Sequence, residues 1–338
     1  MSTQVVLIPG DGIGPEVTSS AVALAEAAGA NIEWIRCHAG ESALESHDDV
    51  LPEETIDQIR STRIALKGPC TTPLGGGYAS VNVQLRKSLN LYAAVRPVRS
   101  LPGIHTRYQD VDMVVIRENT EGLYSGIENV ITDGVITSLK VATETACTRI
   151  AEFAFEYARA RGRRKITSLH KANIMKLSDG LFIRCAKEVA AGYTDIEYEE
   201  LIIDAACMKL VQDPSKFDMV LCENLYGDVV SDLCAGFVGG LGVVPGANIG
   251  RDQAVFEAVH GSAPDIAGSN KANPLAVIMS LVMLLNHLAS TRSDQAAAAA
   301  ADRIKAAYNK TLESGSLTMD LGGRLDTTEF TDVLIGNL

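Results

Sequence analysis

Three groups of residues have the types and spacing to act on a small anion. The first lies between Lys67 and Arg96, KGPCTTPLGGGYASVNVQLRKSLNLYAAVR. Arg86 and Arg96 each present a planar fork of donors that matches a carboxylate, and Asn82 precedes Arg86 by four residues, on the same face of a helix. Ser80 follows Gly75, Gly76 and Gly77 at the entrance to that helix, where its hydroxyl can cap the helix or bind a ligand. An ordinary capped surface helix with solvated charges would carry the same residues. The second group is Asp228 and Asp232, four apart on a helix that turns small and apolar through AGFVGGLG. Two carboxylates one turn apart repel each other unless a cation sits between them, and burial makes the conflict worse. A hard divalent cation resolves it, with Asp204 as a third oxygen ligand; two solvent-exposed carboxylates are the alternative. With no His or Cys beside them, Mg2+ or Mn2+ suits the set better than zinc. The third group stands where the apolar run DMVVIR ends, delivering Arg117, Glu118 and Asn119.

These residues need elements to position them. Gln4 to Ile8, the alternating stretch Asn31 to Cys37, Ile64 to Lys67, Asp112 to Arg117, Lys165 to His170, Ile196 to Ile203, Met219 to Cys222 and Val255 to Val259 read as strands. Helical patterns separate most of them, at Pro15 to Ala28, Pro52 to Arg60, Thr143 to Arg161 and Leu177 to Ala191. Strands alternating with helices imply an α/β fold with a largely parallel sheet, in which ligands gather at the carboxyl ends of the strands. The turn Gly10-Asp-Gly-Ile-Gly half-matches the dinucleotide fingerprint, but its third glycine comes too early, so a simple tight turn is expected. Asp133-Gly134 between β-branched runs marks a hairpin within Val130 to Val141, exposed and suited to pairing with another chain.

The chain has 338 residues and a formal net charge of -12, which repels nucleic acid and anionic membrane. An anionic substrate must therefore be drawn by a local cluster of positive charge. The seven cysteines are scattered, with no CxxC pair, which argues against zinc and a disulfide framework and fits a reducing, cytoplasm-like compartment. The apolar run Leu275 to Leu285 is too short to span a bilayer, and MSTQVVLIPGDG shows no secretory leader. A starting Met1 directly before a strand favours the cytoplasm, and the mitochondrial matrix if the source is eukaryotic.

The motifs HKANIMKLSDGLF, CMKLVQDPS, NLYGDVVSDLCAG and APDIAG resemble those of the isocitrate and isopropylmalate dehydrogenase family, over nearly the full length. The resemblance implies a two-domain α/β fold with a continuous mixed twisted sheet, distinct from a Rossmann fold. Residues 1–98 and 240–338 would form the large domain, and 99–239 a small dimerisation domain carrying the hairpin. It also implies metal-dependent oxidative decarboxylation of isocitrate with NAD, in a homodimer or larger homo-oligomer with shared active sites. Ser80, Asn82, Arg86, Arg96, Arg117 and Tyr124 would face the substrate, Asp228 and Asp232 would hold the metal, and the neighbouring subunit would supply Lys171 and Asp204. Tyr124 and Lys171 would be the proton-transfer residues. Thr72, His260, Gly261, Ala263, Asp265, Ile266 and Asn273 would line the cofactor site. There Asp265 would accept a ribose hydroxyl and repel the additional phosphate of NADP, whose users carry a lysine-tyrosine pair at positions 265 and 266. The family's usual Asn after Asp204 is Ala205 here. Homoisocitrate and 3-isopropylmalate dehydrogenases are rivals of the same class, although polar Ser80 and Asn82 favour a third carboxylate over an isopropyl group. A non-catalytic regulatory subunit is the rival of another class; such subunits tend to lose the tyrosine, lysine and aspartate set that stands here.

Overall fold

The structure is a computed structural model that describes residues 2–72 and 79–338. The Gly75-Gly76-Gly77 turn lies outside the described residues. The chain divides into two compact units, one of Met1–Leu89, Leu101–Arg107 and Val238–Leu338, the other of Asn90–Ser100 and Tyr108–Phe237. The expected boundary at residue 98 falls within a strand of the second unit, β4 (Ala93–Arg99).

In the first unit, β1 (Thr3–Ile8) pairs in parallel with β2 (Ile32–Arg36) and β3 (Ile64–Lys67). Beyond β3 lie β12 (Ala254–Ala258), parallel to it, and β11 (Pro245–Ile249), antiparallel to β12. Every residue of β3 and β12 is buried, so these strands read as continuous apolar runs, broken only by the charged residues Lys67 and Glu257. Helix α8 (Leu275–Arg292) packs on β3, β11 and β12 and against α1 (Gly14–Ala27) and α9 (Gln295–Glu313). At 18 residues it is longer than the apolar run foretold, and by length and composition alone it passes as a membrane span. Its contacts on several sides make it a core helix of this unit.

The glycine turn between β1 and α1 is a tight turn, and its glycines are sterically required. Gly10 and Gly12 have φ of 75° and 58°, and a Cβ on either would fall 2.1 Å from Pro69 O or 2.0 Å from Ser262 O. Between them Asp11 accepts the backbone N–H groups of Glu41, Ser42 and Thr71 at 2.9, 2.8 and 2.6 Å. Ile13 N–H donates to Ser262 O at 2.9 Å, so this turn fixes the loop that follows β12.

In the second unit the strand order is β4 (Ala93–Arg99), β5 (Asp112–Glu118), β10 (Met219–Cys222), β8 (Lys165–His170) and β9 (Glu197–Ile202). Within this five-strand order only the β4–β5 pair is antiparallel. Helix α4 (Glu144–Ala160) covers β5, β8 and β10, and α5 (Ser178–Ala190) packs on α4, β8 and β9. Two further helices present the site: α6 (Ile203–Gln212), which follows β9 without a break, and α7 (Asn224–Val238), which begins just after β10. The hairpin is longer than the sequence suggests, with β6 (Gly122–Thr132) and β7 (Val135–Val141) forming their own two-stranded sheet around Asp133-Gly134.

Candidate active site

The second unit gathers Arg96, Arg117, Tyr124, Asp228 and Asp232. In the β4–β5 register Arg117 lies opposite Ala94, two residues from Arg96, so both arginines project from the same face of the sheet. Arg117 is 1% exposed; its Nε and Nη2 donate to Asn224 Oδ1 at 3.0 and 2.7 Å, and its Nη1 pairs with Asp228 Oδ1. Arg96 donates to Ser231 Oγ and spans both carboxylates, with Nη2 3.5 Å from Asp228 Oδ1 and Nη1 3.4 Å from Asp232 Oδ1. Tyr124 donates its hydroxyl to Asp228 Oδ2 at 2.5 Å, and the Arg117 guanidinium carbon lies 4.9 Å from its ring centre. Burial, reinforced by Asp228, pushes the Tyr124 phenol up from its ordinary value, while Arg117 opposes the shift. At neutral pH this hydroxyl therefore carries a proton to give.

The helix approaches so closely because of Gly227. A Cβ there would lie 2.5 Å from Arg117 Cγ and 2.6 Å from its Cβ. Asn224 is the residue that the sequence reading missed; it ties Arg117 at one end and donates to Glu121 O at 3.1 Å at the other. Its position directly after a buried strand was the available signal.

Asp228 and Asp232 offer oxygen ligands only, the donor set of a hard cation. The Asp232 side chain is 53% exposed, and Arg96 at 3.4 Å is the cation beside it. Partial burial, with Asp228 adding to it, raises its carboxyl from the ordinary value, so a further positive charge would relieve it. The pair fits a divalent metal. Asp204 is not gathered with them: on α6 it pairs with Lys171 Nζ, and this partner holds its carboxyl below the usual range. Among the described residues of one chain no three His, Cys, Asp or Glu groups converge on a metal-sized point. Lys171 and Asp204 thus form a pair apart from that cluster.

In the first unit, α3 (Val81–Ser88) carries Asn82 and Arg86. Ser80 is the N-cap residue but its side chain makes no capping bond; Thr72 Oγ1 takes that role, accepting from Val81 N–H at 3.0 Å. The Ser80 side chain is exposed, and Thr72 is engaged in the fold. Asn82 Oδ1 and Arg86 Nε are buried without a partner among the described residues. Buried polar atoms of this kind call for a partner. Arg86 Nη2 lies 3.4 Å from Glu257 Oε1, and Lys67 Nζ lies 2.6 Å from Glu257 Oε2. Burial alone would raise the Glu257 carboxyl, yet Lys67 and Arg86 outweigh it and hold it down at about 2. A lone Glu inside VFEAV was the sequence signal for such a buried pair.

The loop after β12 holds the remaining residues. His260 Nδ1 faces Gly261 O at 3.0 Å and so carries the proton, leaving Nε2 as a buried acceptor without a partner among the described residues. Burial lowers its pKa and favours the neutral ring. Ala263 adopts φ 39° and starts a single turn, Pro264–Ile266, in which Asp265 is exposed and Ile266 half-buried. Asn273 differs: its Oδ1 accepts from Leu275 N–H at 2.9 Å and its Nδ2 donates to Asp320 at 3.0 Å, so its side chain braces α8.

Arginine forks set against carboxylates in an α/β scaffold, with a glycine-fixed loop at the end of β12, define a class of enzyme that handles small acids. The family profile described as isocitrate/isopropylmalate dehydrogenase matches residues 4–334. A relative from Arabidopsis thaliana, NAD isocitrate dehydrogenase catalytic subunit 5, mitochondrial, is 50% identical over 98% of this chain and 87% of its own. A regulatory subunit of the mitochondrial NAD isocitrate dehydrogenase of Dictyostelium discoideum is 51% identical over 98% of this chain and 91% of its own. The crystal structure of isocitrate dehydrogenase from Methylococcus capsulatus superposes with a TM-score of 0.94 at 46% identity, covering 100% of this chain and 99% of that one. The chain belongs to the isocitrate/isopropylmalate dehydrogenase family.

Proposed function

We propose that the protein oxidises isocitrate with NAD and releases CO2 and 2-oxoglutarate, aided by Mg2+ or Mn2+. The observation that carries this reading is the second-unit cluster, where Arg96, Arg117 and Tyr124 converge on Asp228 and Asp232. Arg86, Arg96 and Arg117 bind substrate carboxylates, and Ser80 and Asn82 supply hydroxyl and amide to the third one, which isopropylmalate lacks. Lys171 and Asp204, already paired through a charge-assisted hydrogen bond, form the route by which the substrate hydroxyl loses its proton. The hydride leaves the same carbon for the nicotinamide. Tyr124 then hands its proton to the carbon that loses CO2. Asp228 and Asp232 of one chain, with Asp204 from a second copy, would hold the metal, which when bound supplies Lewis-acid stabilisation of negative charge on substrate oxygen. His260, Gly261, Ala263, Asp265 and Ile266 contact NAD, and Asp265 disfavours the extra phosphate of NADP. Thr72 and Asn273 serve this site by bracing α3 and α8.

The homologous isocitrate dehydrogenase names support the choice of substrate and NAD. The Dictyostelium regulatory subunit keeps a second reading open, that of a non-catalytic partner in a hetero-oligomer. Retention of Tyr124, Lys171, Asp204, Asp228 and Asp232 favours catalysis by a homo-oligomer. All seven cysteines are free thiols, which suits a reducing compartment: bacterial cytoplasm, or the mitochondrion, which the names of eukaryotic relatives give. The test is turnover of isocitrate, homoisocitrate and 3-isopropylmalate with NAD and NADP, with and without Mg2+. Expected is NAD reduction with isocitrate, abolished by a chelator. Equal kcat/KM for isopropylmalate, or full activity after chelation, overturns the assignment.

A further inference from the structure

The turn that carries Lys171 is pinned by a carboxylate outside the site described above. Asp179, 2% exposed in the first turn of α5, accepts the Lys171 backbone N–H on Oδ2 at 2.6 Å. Its Oδ1 receives Lys140 Nζ at 2.5 Å and the Ser178 hydroxyl at 3.3 Å. The Lys171 carbonyl is fixed as well, accepting from Ile174 and Met175 N–H at 2.9 Å, while Asp179 N–H donates to Met175 O at 3.1 Å. One residue thus closes the loop from strand end to helix start. Lys140 comes from β7 of the hairpin and also lies 2.7 Å from Glu223, immediately before α7.

We propose that Asp179 is a positioning residue for Lys171, with Lys140 as its counter-ion; this rests on the reading that Lys171 moves the substrate proton. The chemistry demands a carboxylate. Both oxygens face donors, and only an ionised carboxylate accepts on both sides. An asparagine there must turn its NH2 either toward the Lys171 N–H or toward the Lys140 ammonium. Without Lys140, in turn, the buried carboxylate lacks its cation, a costly arrangement. The hairpin thereby sets where Lys171 stands.

The experiment uses the full-length protein with Mg2+, NAD and isocitrate, comparing Asp179→Asn, Lys171→Met and the double variant. Displacing a proton-transfer group through its outer partner should lower kcat about 10–100-fold while KM for isocitrate stays within about 3-fold. The double variant should be no slower than Lys171→Met alone, since the loss runs through Lys171. A purely structural role predicts instead an added loss in the double variant, and that result overturns the inference. Wild-type kcat in Asp179→Asn with an inactive Lys171→Met also overturns it, leaving the role of Lys171 intact. Wild-type kcat in Lys171→Met means that the functional reading itself has failed. If Asp179→Asn does not fold, Lys140→Met is measured in its place, with a fall in kcat of about 10-fold at unchanged KM expected and wild-type kcat refuting the inference.

Discussion

At the scale of single residues, the pairing that governs the first unit is Lys67 with Glu257. Both are buried, 1% and 9% exposed, and each is the other's ion-pair partner at 2.6 Å. Removing one partner of a buried pair costs more than the pair contributes, because the survivor keeps its desolvation penalty. The Glu257 carboxyl, held at about 2 against an ordinary 4.5, is depressed in the folded state. Its stabilisation is therefore fully present above the unfolded value and is lost as the pH falls toward the folded one. Glu257→Gln should destabilise the protein by roughly 3 kcal/mol at about pH 7, and the gap to wild type should close between about pH 4.5 and 2. Urea unfolding of both proteins across that range checks it; a pH-independent gap would mean that Glu257 acts through packing alone. Arg86, the candidate substrate ligand beside Glu257, should lose isocitrate affinity in the same variant.

Among the elements, α7 shows how closely helix and strand must meet for the arginines to work. Replacing a helical glycine with alanine ordinarily favours the helix by about 1 kcal/mol. At Gly227 the new methyl would meet Arg117 at its Cβ and Cγ, atoms too near the backbone to swing away. Overpacking of that kind costs about 1–3 kcal/mol, so Gly227→Ala should lower both stability and kcat. A lower urea midpoint with lower kcat is expected, and a stabilised, fully active variant would show that α7 can shift. The NLYGD motif was legible as a helix bearing carboxylates, but nothing in its letters told that its glycine faces Arg117. The strands with continuous apolar runs, β1, β3, β5 and β10, were readable from the sequence alone. β4 and β11 were not, because Pro97 with Arg96 and Arg99 in one, and Pro245 with Gly246 in the other, break the strand pattern. Their partners, β5 and β12, supply the order that local propensity withholds. Helix α6 was hidden for another reason: it follows β9 with no turn residue to mark the change.

At the scale of the whole molecule, one chain leaves much apolar surface uncovered. Val130, Ile131 and Ile136 on the hairpin are 72%, 64% and 67% exposed, and Leu177, beside the Lys171 turn, is 90% exposed. A two-stranded ribbon is marginal alone in water, and an apolar patch of this kind calls for a covering surface. A second copy would supply one under two-fold symmetry, and would also unite Asp228 and Asp232 with the separate pair of Asp204 and Lys171. That arrangement has a consequence in mixtures of inactive variants. Let one chain carry Asp228→Asn and the other Lys171→Met. If each site takes Asp228 from one chain and Lys171 from its partner, a mixed dimer contains one site with both defects and one with neither. Random reassortment makes half the dimers mixed, so a refolded equimolar mixture should regain about a quarter of wild-type turnover from two dead parents. If Lys171 serves the Asp228 of its own chain, every site keeps one defect and nothing returns. Val130→Asp with Ile136→Asp should abolish the recovery by separating the copies, as sedimentation would show. No recovery in the mixture, or a wild type that sediments as a monomer with full activity, would place the complete site within a single chain.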